Sequence, residues 1–446
     1  MNVLFLEIDL ERSWSVASIG PACLAAWLRR HGYGAGLLRV GVETQAGDVA
    51  AAIRASGAGL VGVSLTTRQW LPARRLLAAL RQHVAVPVVA GGLHPTYSPE
   101  ETLAAPGIDF VCLGEGEAVL LDLVQAIEAG GPIADGSIAN LWVKGGTRPP
   151  LRPPIEPLDA LPPMARDLLD ERHGVVHMTT QRGCPFPCTY CAARLYEEMY
   201  AGLGRYGRRR SVGSVIGELE AIRAAGPLNY VIFLDDTFTL HRPWVMEFCR
   251  IYRERIGVGF SLHARVETMV PAMIEALAAA GCFHITYGVE SGSERVRREV
   301  MQRPVGNDRL VDVFRATREA GILVTANYMI GVPGETRDDL DATLALHDEL
   351  RPDDFGYFVF YPYPGTRLFQ HCRDRGYLPA DYLDRPASHR ETILDLPDLS
   401  ADDIRAAYDR WTQVRTAAML ARLGPDCPED VRRSSIAAVE ASAALG

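Results

Sequence analysis

Cysteine is scarce in this chain: nine in 446 residues, too few for the disulfide frameworks that hold small secreted domains together. Apolar runs are short, and none reaches the roughly 18–20 residues a membrane-crossing helix needs. Positive charge is not in excess either. Lys and Arg number 46 against 55 Asp and Glu, a formal charge of −9, which argues against a chain built to neutralise nucleic-acid phosphates. The N-terminus, MNVLFLEIDLERS, lacks a basic leader and turns acidic at once, so it reads as a strand and not as a secretory signal. No internal repeat is visible. These absences lead us to expect a cytoplasmic protein with no membrane span and no nucleic-acid partner. What is present is an ordinary globular composition, 48% hydrophobic, in a chain long enough for two or three domains of about 150 residues each.

Short apolar runs at 3–8, 36–40, 60–65, 87–90 and 108–113 alternate with helical patterns such as 21–31, 71–83 and 117–128. Strand and helix alternating at this spacing predict a parallel sheet covered on both faces, an α/β domain over 1–145. Glycines follow the strands at Gly91-Gly92 and Gly114-Glu115-Gly116, and in such sheets ligands bind at the carboxyl ends of the strands. Residues 146–172 are proline-rich without periodicity and read as a linker. The alternation resumes with strands expected at 175–179, 230–234, 259–263, 284–289, 323–330 and 356–360. Six strand–helix units over 173–380 suggest a partial barrel. A mixed, mainly helical segment follows over 381–446.

Three of the cysteines crowd together. Cys184, Cys188 and Cys191 form C-x3-C-x2-C in GCPFPCTYCAAR, just after the first strand of the second domain. Three thiolates suit a soft metal or an iron–sulfur cluster. A structural zinc site normally has a fourth ligand, and His177, the nearest imidazole, falls inside the preceding strand. A cubane cluster on three cysteines keeps one iron for substrate or cofactor. Cys282 and Cys372 read as buried small hydrophobes.

With Tyr190 before its last cysteine, the motif resembles the radical SAM signature. That resemblance covers 173–380 and implies a [4Fe-4S] cluster whose open iron chelates S-adenosylmethionine (SAM), cleaved reductively to a 5′-deoxyadenosyl radical. It also assigns the strand ends. The FLDDTF run offers Asp235 and Asp236 to the methionine amino group, and Arg265 in HARVE pairs with its carboxylate. Glu290, followed by Ser291, accepts from the ribose, and the backbone at Ile330 and Gly331 cradles adenine. No catalytic residue is assigned beyond the cluster and cofactors.

The first domain resembles the Rossmann-like cobalamin-binding domain that precedes the barrel in one large subgroup. The matching segments are 20–29, 61–65, 91–96 and 114–117, and the resemblance implies cobalamin contacts at Ser64, Thr66, Arg68, Trp70, Gly91, Gly92, His94, Gly114, Glu115 and Gly116. Glycines there would let the backbone approach a nucleotide tail. The Asp-x-His-x-x-Gly motif of an axial histidine is absent; after the first strand the chain reads EIDLERSWS. In this reading the 66–70 loop lies against the lower corrin face, where Arg68 or Trp70 shields it, and His94 contacts the tail or caps its own loop. A domain that keeps the fold without cobalamin is the alternative.

The expected function is methylation of an unactivated carbon of a small molecule, with electrons from an external donor such as flavodoxin or ferredoxin. The runner-up is a non-methylating radical SAM reaction. An RNA-modifying methylthiotransferase would add a basic tail and three more clustered cysteines, and neither is present. Substrate contacts are expected from the barrel mouth, the 361–366 loop and the C-terminal 70 residues; Tyr361 and Tyr363 could line the pocket, though aromatics there are more often packing.

Overall fold

The structure is a computed structural model that describes residues 1–10, 19–41, 43–424 and 427–444. It forms two compact units. In the first, strands and helices alternate: β1 (Asn2–Asp9), α1 (Ile19–Arg30), β2 (Gly34–Gly41), α2 (Ala46–Ser56), β3 (Ala58–Ser64), α3 (Thr67–Leu80), β4 (Val88–Gly91), α4 (Leu93–Tyr97), α5 (Pro99–Ala104), β5 (Phe110–Cys112), α6 (Glu117–Glu128) and β6 (Leu141–Val143). The sheet order is β2-β1-β3-β4-β5-β6. The first five strands are parallel, and β6 alone runs antiparallel, on β5. Alternate residues of β1 enter separate cores. Leu4, Leu6 and Ile8 pack in one and Val3 and Phe5 in the other, so both faces are covered, as a parallel sheet requires. The order reverses between β2 and β3 around β1, a switch point that opens a crevice at the strands' carboxyl ends.

Residues 146–172 are not a loose linker. Leu158, Met164, Ala165 and Leu169 are buried, Met164 and Leu169 in a cluster with Ala22 of α1, and Asp167 pairs with Arg29 at 2.6 Å. Isolated apolar residues among prolines carry no period, yet each finds a pocket on the first unit.

β7 (Val175–Met178) begins the second sheet. The chain then returns to the first unit through an antiparallel pair, β8 (Gln181–Arg182) and β9 (Arg208–Arg209), which bracket α7 (Ala193–Met199). The barrel continues through α8 (Val212–Ala225), β10 (Tyr230–Phe233), α9 (Arg242–Arg255), β11 (Gly259–Ala264), α10 (Pro271–Ala279), β12 (Cys282–Glu290), α11 (Asn307–Glu319), β13 (Leu323–Ile330), α12 (Arg337–Leu350), β14 (Asp354–Val359) and α13 (Arg367–Asp374). Its six parallel strands lie in chain order, β7-β10-β11-β12-β13-β14, the expected partial barrel. Beyond it come α14 (Ala401–Leu423) and α15 (Glu429–Ala444). Ser400 caps α14 through a box with Asp403. The helix is no detached tail, because Trp411 is buried and stacks on Tyr328 with ring centroids 4.6 Å apart.

Candidate cluster and cofactor sites

In the second unit, charged side chains gather where β10 to β13 end. Cys188 is buried and its sulfur accepts from Arg265 Nη1 at 2.9 Å. The Arg265 guanidinium lies 3.9 Å from the centre of the Phe186 ring and also pairs with Glu267. Its Nε is buried with no hydrogen-bond partner. Arg303, 2% exposed, grips both Glu267 oxygens at 3.1 and 3.2 Å and reaches Glu290 at 3.3 Å. Burial raises the Glu290 carboxyl, with Arg303 and a Tyr190 hydrogen bond opposing it. In the same pocket, burial holds the Tyr190 hydroxyl well above its ordinary range. Glu290 also has φ of 71°, a left-handed conformation costly for a residue with a Cβ. The strain sits where the strand hands over to its loop.

Two expected ligand groups are already used by the protein. Asp235 is buried and accepts from the Thr180 amide at 2.7 Å and hydroxyl at 2.9 Å. It therefore ties β10 to the loop after β7, while its neighbour Asp236 is exposed. Ser291 is buried; its hydroxyl lies 3.4 Å from Thr343 and accepts from the Ser293 amide at 3.2 Å. Ile330 is buried and its carbonyl accepts from Phe360. Gly331, at φ 79°, has no room for a side chain, since a Cβ would stand 2.9 Å from Ile404. Glu335 holds this turn by accepting from the Gly331 amide at 2.6 Å and Val332 at 3.3 Å, while its Oε1 is buried without a partner. Burial pushes its carboxyl up to about 8.

Glu267, Arg303 and Glu335 were not singled out in the sequence. For Glu267 and Glu335 the signal was there: a carboxylate two residues past Arg265 and another four past Gly331, both in strand-end loops. Arg303 has no local signal. Tyr361 is buried, and the Tyr363 hydroxyl bonds His389 at 2.8 Å, so both act in packing. Cys282 and Cys372 are buried as expected.

The first unit revises the expected loop. Thr66 caps α3 through a box with Gln69, so Arg68 and Trp70 stand on a helix. Trp70 is buried, donates to Glu101 and stacks on His94 at 4.7 Å; it cannot shield a corrin face. His94 is 2% exposed and neither ring nitrogen has a hydrogen-bond partner. Burial lowers it to about 4. It does not cap its loop. Gly114 packs on Tyr200, whose hydroxyl a Cβ there would meet at 2.2 Å. The Glu115 carboxylate is taken by Arg182 and Arg208. Ser64 ends β3 and is closely flanked by glycines. A Cβ on Gly20 or Gly92 would come within 3.4 or 3.1 Å of its hydroxyl, and Gly91 and Gly116 lie at neighbouring strand ends. Residues 11–18, which include the start of the loop lacking the histidine motif, lie outside the described residues.

Family models match in two places: the B12 binding domain over 14–124 and the Radical SAM superfamily over 178–347. An uncharacterized methyltransferase of Pyrococcus horikoshii is 30% identical over 336 residues, 73% of this chain and 72% of that protein. The chain belongs to the radical SAM superfamily, in the branch with a B12-binding domain. An anaerobic magnesium-protoporphyrin IX monomethyl ester cyclase of Rubrivivax gelatinosus is 26% identical over 71% of this chain and 59% of its own length. The solved radical SAM methyltransferase TsrM from Kitasatospora setae, with cobalamin and a [4Fe-4S] cluster bound, shares the fold at a TM-score of 0.71 and 19% identity, over 95% of this chain and 89% of its own.

As a radical SAM enzyme with a B12-binding domain, the protein takes a [4Fe-4S] cluster, SAM and cobalamin. Among the described residues, no three His, Cys, Asp or Glu side chains are drawn together as a metal site. The donor chemistry nonetheless fits the first two cofactors. Three thiols stand at the signature spacing, and the unsatisfied Arg265 Nε and Glu335 Oε1 are buried polar atoms, a costly state without a partner. For cobalamin, Ser64 and Gly91 stand side by side at the carboxyl ends of β3 and β4, where such sheets bind ligands. No helix among the described residues is long and apolar enough to cross a membrane.

Proposed function

We propose that the chain is a cobalamin-dependent radical SAM methyltransferase that methylates an unactivated carbon of a small molecule. When bound, the cluster and SAM supply a 5′-deoxyadenosyl radical, and cobalamin supplies a transferable methyl group. Cys184, Cys188 and Cys191 hold the cluster. Arg265 pairs with the SAM carboxylate, and Asp236, with its solvent access, accepts from the amino group more readily than the occupied Asp235. Glu290 faces the ribose, and the Ile330–Gly331 backbone, tightened by Glu335, takes adenine. Ser64, with Gly91, Gly92 and Gly116, takes cobalamin. The observation that carries this reading is Arg265, a buried guanidinium seated on a signature cysteine with its Nε still unsatisfied.

The substrate approaches the barrel face opposite the buried residues, where His263, His284, Thr325 and Asn327 alternate with the core and His284 bonds Thr325 at 2.7 Å. Electrons come from an external donor such as flavodoxin or ferredoxin, and a cluster of this kind suits the reducing cytoplasm. The cyclase relative supports a second reading, a non-methylating radical reaction. Anaerobic turnover with methyl-deuterated SAM separates the two. Label carried into the product by mass spectrometry supports methylation. Deoxyadenosine formed with an unlabelled, rearranged product supports the second reading.

A further inference from the structure

Glu115 lies in the loop after β5 that is expected to face cobalamin and Glu117 begins α6, yet both carboxylates are held by arginines. Arg182 donates to Glu115 at 2.9 Å and pairs with Glu117. Arg208 also pairs with Glu115. The side chains of Glu115, Glu117 and Arg208 are 9%, 3% and 3% exposed. Burial would raise the Glu115 carboxyl, but the two guanidinium groups outweigh it and hold it below its usual range. The Glu115 amide donates to the Tyr200 hydroxyl at 2.9 Å. Two carboxylates and two guanidinium groups thus neutralise one another, three of the side chains buried and Arg182 23% exposed. Such a set is costly to bury and strongly destabilising to break, so it needs a reason beyond stability.

The position of Arg182 supplies the reason, because it is two residues before Cys184. Its backbone pairs with Arg208 in the β8–β9 ladder. The residue between them and the cysteine, Gly183, has φ of 87°, and a Cβ there would lie 2.9 Å from the Tyr206 ring and 3.0 Å from Gly207. The strand, the ion network and this close approach fix the chain immediately ahead of the first signature cysteine. All of these groups belong to the first unit.

We propose that Arg182, held by Glu115, Glu117 and Arg208, is a positioning residue that sets the approach of Cys184 to the cluster. This rests on the cluster assignment above. Groups that orient metal ligands without touching the metal commonly matter about 10- to 100-fold for metal retention.

The test uses anaerobically reconstituted full-length protein. Arg182→Gln should release iron to a chelator roughly ten-fold faster than wild type and broaden the EPR signal of the reduced cluster, with unchanged circular dichroism. Arg182→Lys keeps a cation beside the carboxylates, which guards against misfolding, but lacks the planar fork that spans both of them. It should show the same loss. Arg29→Gln, which breaks the Asp167 pair elsewhere on the first unit, should behave as wild type. A folded Arg182 variant with wild-type release and line shape overturns the proposal. So does Arg29→Gln releasing iron equally fast, since the effect would then be general loosening. Cys188→Ala is run beside them. Undiminished iron there removes the cluster assignment itself, whereas loss there with retention in the Arg182 variants removes only the positioning role.

Discussion

Glu335 shows how much one buried carboxylate can govern. Two amides of the turn after β13 converge on one of its oxygens, and the charge that would accept them best is disfavoured by burial. With its carboxyl raised to about 8 from 4.5, the native state keeps a proton that the unfolded chain loses near pH 4.5. Stability from this group is therefore fully present below that pH and falls as pH rises toward 8, with a slope approaching ~1.4 kcal/mol per pH unit. Denaturant unfolding of wild type and Glu335→Gln across pH 5–8 checks this. The variant should lose that component of the slope, and identical pH profiles would contradict the assignment. Residues of this kind are half legible in a sequence. A carboxylate near a strand-end glycine can be seen, but not which backbone amides it will hold. Glu115 is harder still, because its partners stand 67 and 93 residues away and nothing local announces them.

At the scale of elements, periodicity served well where contrast is high. The strand expected at 323–330 and the helix at 117–128 match β13 and α6 end to end, because each is a largely apolar run of strand or helix length set between glycines. The Ala46–Ser56 helix, mostly alanine and glycine, was not singled out, and neither was the three-residue β6, too short to show a period. The 66–70 segment follows directly on the third strand, where the sequence suggests a loop. The Thr66 capping box with Gln69 instead starts α3 at once and turns Trp70 into the core. The sequence marks the final segment only as mainly helical, without showing what it packs on. Yet Trp411 of α14 is 1% exposed and packs on Tyr328, Phe355 and Tyr357, so α14 completes the cover of β13 and β14. Trp411→Ala should cost roughly 3–5 kcal/mol of stability, read as a lowered urea midpoint of the barrel. A midpoint unchanged from wild type would mean that the helix is dispensable to it.

For the whole molecule, the two-part architecture and the cluster motif were legible because each is written locally, in strand–helix rhythm and in cysteine spacing. Where the chain divides was not. The 146–172 stretch, β8 with the residues up to Pro185, and Ala192–Ser214 belong with the first unit, whereas Phe186–Cys191 belongs with the second; isolated apolar contacts and long-range ion pairs leave no periodic trace. The central claim is that one chain combines a SAM-cleaving cluster with a cobalamin domain. Its most direct test is to quantify 5′-deoxyadenosine formed from SAM and a strong reductant by the cobalamin-loaded, reconstituted protein, in wild type and in Cys188→Ala. Deoxyadenosine should form with wild type and fall to background with Cys188→Ala, while both retain cobalamin. Equal deoxyadenosine from the two proteins, or none from wild type carrying a full cluster, would contradict it.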